Sequence, residues 1–188
     1  MERRHFLHRL VAATAGWWAA RSAVAAPKSA LTPAEIEDMR RNWQALLRKD
    51  IEAPAPSEAV TRSREQWKRE LTPTQFDVLR EEGTERPFSS PLNDEKRPGV
   101  FACAGCGLPL FTSRMKFDSG TGWPSFVTSI PKHLATKRDF KLIMPRTEYH
   151  CVRCGGHQGH VFDDGPPPTG ERWCNNGVAL KFLPARMA

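Results

Sequence analysis

The feature that most constrains this chain is a knuckle that occurs twice. "VFACAGCGLPLF" and "EYHCVRCGGHQGH" each place Cys-x-x-Cys-Gly behind a strand-like run, giving the pairs Cys103/Cys106 and Cys151/Cys154. Two intervening residues let both thiolates of a pair face one point in a tight turn. The glycine that follows lets the backbone leave with positive φ. Between Cys106 and Cys151 lie 44 residues, so two separate knuckles must meet in space with an inserted lobe between them. Four thiolates in tetrahedral array suit a closed, structural Zn²⁺ site. Two local disulfides and a thioredoxin-like redox pair are the alternatives. A redox Cys-x-x-Cys normally opens a helix in a βαβ setting, and neither pair here does.

The fifth cysteine, Cys174 in "GERWCNNGVALKF", is left unpaired. A lone thiol is commonly an inert filler of a core gap. Three features point to a nucleophile instead. Arg172 lies two residues back, on the same face of a strand, and a nearby guanidinium favours thiolate. Asn175-Asn176-Gly177 is polar and turn-forming, a poor neighbour for a core filler. "HQGHVFDDG" supplies His157 and His160 in a glycine-rich stretch. Those histidines could equally be solvated or spare zinc ligands. Trp123 in "KFDSGTGWPSF" could be a core aromatic held extended by Pro124.

A chain of 188 residues is expected to hold one domain with an appendage, and can bury a core without disulfide staples. Its 13 glycines and 16 prolines predict many turns, hence short strands rather than a helical bundle. The net charge is +7, of which Arg3, Arg4, Arg9 and Arg21 against Glu2 put +3 in the first 25 residues. The remainder is mild, and no basic run is interleaved with aromatics, so nucleic acid is not an expected partner.

The N-terminus is more specific. Arg3-Arg4 precede a modest apolar stretch, and Ala23 and Ala25 supply an A-x-A cleavage pattern. The stretch is too short to span a bilayer and no second apolar segment follows. Residues 1–25 resemble a twin-arginine export signal, which implies a bacterial protein in the periplasm with no stable membrane anchor. A basic N-terminal helix that stays attached is the plainer reading. The periplasm is oxidising, so the paired cysteines need protection there, which metal binding provides.

Residues 26–62 are expected to form a helix and a linker. Thr32-Pro33-Ala34-Glu35 is a capping box with Leu31 and Ile36 as a hydrophobic staple, and Ile36, Met39, Trp43, Leu46 and Leu47 continue at helical spacing, predicting one amphipathic helix over 31–50. "EAPAPSEA" breaks it. The same device at Leu71-Thr72-Pro73-Thr74-Gln75-Phe76 starts a short helix ending near Gly83. From Arg86 the apolar runs are short and turn residues frequent, the texture of an antiparallel β domain preceded by short helices.

Together "WKRELTPTQFDVLREEGTERPFS", "CAGCGLPLF", "KFDSGTGWPSF", "CVRCGGHQGHVFDDGP" and "RWCNNGVALKF", from about Trp67 to Pro184, resemble the methionine-R-sulfoxide reductase family. The resemblance implies a mainly β fold of two small antiparallel sheets over residues 63–188, with one structural zinc on Cys103, Cys106, Cys151 and Cys154 far from the chemistry. It implies Cys174 as nucleophile with Arg172 and Asn176 beside it. Trp123 would pack on the sulfoxide methyl, and His157, His160, Asp164 and Phe162 would line the pocket. The substrate would be oxidised methionine in peptides and proteins, the reductant a thioredoxin-like thiol, and the enzyme a monomer. Two departures stand out. The usual Arg-Tyr-Cys-Ile-Asn-Ser reads Arg172-Trp173-Cys174-Asn175-Asn176-Gly177, so Trp173 and Asn175 are expected to reshape the pocket. Thr121 stands where many members carry a resolving cysteine, so an external thiol is expected to clear the Cys174 sulfenic acid. The rival readings are a non-catalytic zinc-binding interaction module and a dithiol oxidoreductase.

Overall fold

A computed structural model describes residues 31–140 and 145–185. The expected export segment, residues 1–25, lies outside the described residues. No helix among those described is long and apolar enough to cross a membrane.

The described residues open with α1 (Pro33–Arg41), α2 (Arg64–Glu70) and α3 (Pro73–Glu81), each started by a complete capping box. In α1 the Thr32 hydroxyl accepts from the Glu35 N–H at 3.2 Å while the Glu35 carboxylate accepts from the Thr32 N–H at 2.7 Å, so two otherwise unpartnered donors are satisfied reciprocally. The single helix expected over 31–50 is shorter. It ends at Asn42, whose side chain donates to Asp38 Oδ1 at 2.5 Å, and a 3₁₀ turn, Trp43–Leu46, follows. That turn sets the Trp43 ring edge-on to His133 at 5.5 Å. Asparagine competes locally for helical backbone groups, and the tertiary contact of Trp43 fixes the break. Helix α2 has too few residues and only one buried position, Trp67, to show a period in the sequence. The guanidiniums of Arg62 and Arg80 lie 4.8 and 5.0 Å from the Trp67 ring centroid.

Among the described residues nine strands follow: β1 (Gly99–Cys103), β2 (Pro109–Thr112), β3 (Lys116–Phe117), β4 (Ser125–Phe126), β5 (Leu134–Asp139), β6 (Arg146–Cys151), β7 (His157–Phe162), β8 (Arg172–Asn175) and β9 (Leu180–Pro184). They form two antiparallel sheets, in the orders β2-β1-β9 and β3-β4-β8-β7-β6-β5, as the β-rich texture predicts. The core lies between them and is aromatic. Phe111 stacks on Phe126 at 4.1 Å, Phe101 meets Phe126 edge-on at 5.2 Å, and Tyr149 meets Trp173 at 5.0 Å. Phe101, Phe111, Phe126 and Tyr149 are fully buried. The lobe inserted between the knuckles runs from β2 into β6, so its strands supply most of the larger sheet.

The knuckles meet at the edge where the helices join the sheets. Arg153 Nη1 donates to the Cys106 carbonyl at 3.0 Å, and Arg80 Nη1 in α3 donates to the Cys154 carbonyl at 2.8 Å. The expected linker is bound here too, since the Val60 N–H donates to the Arg153 carbonyl at 2.7 Å. Gly107 and Gly155, one after each pair, take φ of 79° and 68°, the conformation the knuckle needs.

Candidate active site

Strand β8 runs between β4 and β7 in the larger sheet. Cys174 lies directly opposite Ser125 on β4 and His160 on β7, and Arg172 lies opposite Phe162. Directly opposed residues share a face, so Ser125, His160, Phe162 and Arg172 form one surface around the Cys174 thiol. The close approach of β7 to β8 requires Gly159, where an added Cβ would come within 1.9 Å of the Cys174 carbonyl oxygen.

A register irregularity between Tyr149 and His150 pairs His150 with His157. It brings His157 beside His160, with ring centroids 5.4 Å apart. Each imidazole is held by a carboxylate. His157 Nδ1 is 2.6 Å from Glu148 Oε1, and His160 Nε2 is 2.8 Å from Asp139 Oδ2. Glu148 also meets His150 Nδ1 at 3.1 Å. Burial opposes the charge of Glu148, but the bonds from His150 and His157 outweigh it and hold its carboxyl down to about 2. His157 Nε2 is buried and has no hydrogen-bond partner among the described residues. Burial lowers the pKa of His160, only partly countered by Asp139, so its imidazole is neutral at neutral pH.

Arg172 is buried and binds Asp164 through two bonds, at 2.7 and 2.9 Å, with its guanidinium 4.4 Å from the Phe162 ring centroid. The Arg172 guanidinium favours the Cys174 thiolate, as expected, but burial opposes it more strongly. Desolvation pushes the Cys174 thiol up, while the Arg172 charge and hydrogen bonds from Arg172 and Thr121 pull it back only in part. Asp164 adds to the rise and is itself bound to Arg172. At neutral pH the resting group is therefore a thiol.

Trp173 and Asn175 do not reshape this face. Strand alternation turns both to the other side of the sheet. Trp173 packs on Tyr149 and Phe111, and Asn175 is fully buried, accepting from the Tyr149 hydroxyl at 2.9 Å. Asn176 is buried with both ends of its amide engaged. Its Oδ1 accepts from the Glu85 N–H at 3.0 Å and its Nδ2 donates to the Gln158 carbonyl at 3.0 Å. Half-buried Trp123 donates from Nε1 to the Glu85 carbonyl at 3.2 Å.

Glu85, Glu148 and Asp139 are the site residues the sequence reading missed. Glu85 ties Trp123 and Asn176 together through its main chain, and its buried carboxylate accepts from the N–H groups of Gly177 and Val178. A buried acid at a strand position was the signal for Glu148, visible as the lone charge between Thr147 and Tyr149. Glu85 had no local signal, because its partners are about ninety residues away.

The four paired cysteines sit apart from this surface. Their sulfurs all lie within 4.8 Å of one another, with Cys103 to Cys154 at 3.7 Å and Cys106 to Cys151 at 3.5 Å. Those separations are far too long for disulfides and close to the roughly 3.8 Å edge of a sulfur tetrahedron around a metal at 2.3 Å. The cluster could hold a metal ion.

Comparison with known proteins adds an independent observation. The SelR domain family matches residues 71–184. A "peptide methionine sulfoxide reductase MsrB" of Bradyrhizobium diazoefficiens is 51% identical over 136 residues, covering 72% of this chain and 98% of the relative. A protein of the same name from Methanosarcina barkeri is 54% identical over 125 residues, covering 66% and 88%. One from Agrobacterium fabrum is 49% identical over 129 residues, covering 68% and 96%.

Proposed function

The chain belongs to the SelR domain family and is a peptide methionine sulfoxide reductase, and we propose that Cys174 is the nucleophile with which it reduces the R epimer of methionine sulfoxide in peptides and proteins. The observation that carries this reading is the register that sets one thiol opposite His160 and beside Arg172 while the other four cysteines gather elsewhere. The resting thiol passes its proton to the neutral His160 imidazole, whose Nε2 is bound to Asp139 and whose Nδ1 can take it. The thiolate attacks the sulfoxide sulfur while the histidine returns the proton to the sulfoxide oxygen. The sulfur–sulfur bond formed by the attack and the sulfur–oxygen bond then break as the hydroxyl passes to the Cys174 sulfur; one electron pair stays on the departing methionine, and Cys174 is left as sulfenic acid. The Arg172 guanidinium stabilises the thiolate. Trp123 and Phe162 offer apolar surface for the methyl group, Asp164 and Asn176 hold Arg172 and the turn after Cys174 in place, and His157 is the second candidate acid.

Thr121 offers no thiol, so a thioredoxin-like donor attacks the sulfenic acid, water leaves, and a second thiol clears the mixed disulfide. The metal held by Cys103, Cys106, Cys151 and Cys154 is one structural Zn²⁺ per monomer. Four thiolates close its coordination, so it serves the fold and not the reaction. Residues 1–25 direct export to the periplasm by the twin-arginine route, which carries a folded, metal-loaded domain.

The deciding experiment compares wild type with Cys174→Ser, measuring bound zinc and dithiothreitol-driven reduction of a peptide methionine sulfoxide. The variant is expected to keep its metal and lose turnover to background. Turnover retained by Cys174→Ser sinks the mechanism.

A further inference from the structure

A groove of about 860 Å³ opens beside Trp123, with Phe88, Phe117 and Leu31 completing its apolar wall. Drug-sized ligands fill pockets of roughly 300–1,000 Å³, so it holds more than one side chain. Trp123 joins the groove to the thiol. The next residue, Pro124, accepts through its carbonyl from the Asn175 N–H at 2.9 Å, and Ser125 lies opposite Cys174. A methionine sulfoxide held between Trp123 and Cys174 leaves its neighbours in sequence at the mouth of this groove.

Phe88 is the unusual part of the wall. It is 73% exposed, and its φ of 60° is a left-handed conformation that disfavours a bulky side chain. The surroundings hold it there. Its N–H donates to the Gly122 carbonyl at 2.7 Å, and that carbonyl also accepts from Asn93 Nδ2 at 2.9 Å. Asn93 is fixed in turn by Lys116, whose Nζ donates to its carbonyl at 2.6 Å. A Cβ at Gly122 would come within 2.9 Å of the Phe88 ring, so the ring lies on bare glycine backbone immediately before Trp123. A solvated ring on a strained, tethered backbone points to a ligand that covers it. The charges on the walls exclude a strongly charged ligand. Asp94, Glu95 and Asp118 are matched by Lys96, Arg114 and Lys116. Glu95 is paired with Arg97, and Arg114 with Asp38 of α1. Equal numbers of both signs leave little net field to select by charge, so apolar contact selects.

We propose that this groove binds the polypeptide flanking the oxidised methionine and that Phe88 selects an apolar residue beside it, which makes Phe88 a specificity-determining residue of the reductase. Leu31 belongs to the segment before residues 71–184, the part that the family model matches, so that segment takes part in substrate choice. The proposal rests on Trp123 lying at the methionine sulfoxide site.

The test compares three substrates: N-acetyl methionine sulfoxide amide, and two peptides with leucine or serine on both sides of the sulfoxide. In the wild type the leucine-flanked peptide is expected to have a KM about tenfold below the serine-flanked one with similar kcat, the scale of one apolar side chain taken from water. Phe88→Ala is expected to erase that ratio and to leave turnover of the blocked amino acid unchanged. Leu31→Ser is expected to reduce the ratio by a smaller factor. A wild type without the preference overturns the proposal, as does a Phe88→Ala enzyme that keeps it. Equal slowing of Phe88→Ala on all three substrates would make Phe88 a support for Trp123 and also overturn it. A concentration-dependent dimer that Phe88→Ala dissociates would assign the groove to a second copy of the chain instead. The same ratio is read as Kd in a Cys174→Ser background, where no turnover is needed. Failure of the nucleophile reading and failure of this one therefore appear in different measurements.

Discussion

Two groups of cysteines in one small fold are handled in opposite ways. At the knuckles four sulfurs crowd within 4.8 Å, and main-chain carbonyls of that cluster are bound by Arg80 and Arg153. On β8 one sulfur stands alone, and its neighbours are side chains already bonded to acids: Arg172 to Asp164, His160 to Asp139, and His157 to Glu148. The first arrangement joins segments distant in sequence, so it bears on whether the domain holds together. The second orients groups on a sheet that is already built, so it bears on rate. Perturbations at the knuckles should therefore appear in stability, and perturbations around Cys174 in turnover.

The sharpest way to break that contrast is to open the metal cluster. Cys151→Ser, or removal of metal by a chelator, is expected to cost several kcal/mol and abolish cooperative melting near the wild-type temperature, since metal affinity in such sites is folding free energy. A chelated protein that melts as before would show that the knuckles are dispensable. Next in size is Trp123→Ala. Trp123 is half-exposed with its indole N–H bonded to Glu85, and its removal is expected to lower kcat/KM on peptide substrate on the order of a hundredfold while shifting Tm by a few degrees at most. A large stability loss with full activity below the new Tm would move Trp123 to the structural side.

Glu148 tests whether the division is complete, because it belongs to both sides. Its folded pKa, about 2, lies below the ordinary carboxylate value. Its ionised form thus contributes stability that is fully present above about pH 4.5 and is lost as pH falls toward 2, an amount on the order of 3 kcal/mol. Glu148→Gln is expected to flatten the acid limb of the stability curve in that window and to lower turnover by loosening His157. Denaturant melts from pH 6 to pH 2.5 check the first part. An unaltered acid limb would mean that the two histidines do not hold the carboxylate. The smallest effect is expected at Asn175, on the far side of the Cys174 strand. Asn175→Ile strands the buried Tyr149 hydroxyl and should cost about 1–3 kcal/mol with kcat/KM unchanged. Adding Tyr149→Phe should recover most of that loss. A change in kcat/KM would show that the core face of β8 communicates with the thiol.

Much of this was legible in the sequence because it depends on near neighbours. The Cys-x-x-Cys-Gly spacing dictated two knuckles with positive-φ glycines, Thr32/Glu35 and Thr72/Gln75 dictated two helix starts, and Arg172-x-Cys174 dictated a shared face. The capping box at Ser63 was equally local, but α2 offered only Trp67 as an apolar position. Helix 31–50 was overestimated because periodicity at Trp43 and Leu46 continued through a backbone that turns at Asn42.

The sequence by itself determined the two cysteine pairs that could hold a metal, the separate thiol and the β-rich texture, since each follows from residue type and spacing along the chain. Only the tertiary structure decided which groups meet that thiol. Ser125 and His160 become its neighbours through strand pairing across dozens of residues and Glu85 through bonds to Asn176, Gly177 and Trp123. The protonation of Cys174 was likewise beyond the sequence. Residue type supplies the guanidinium that favours charge, but desolvation depends on how much of the fold lies over the sulfur, and here burial outweighs the arginine.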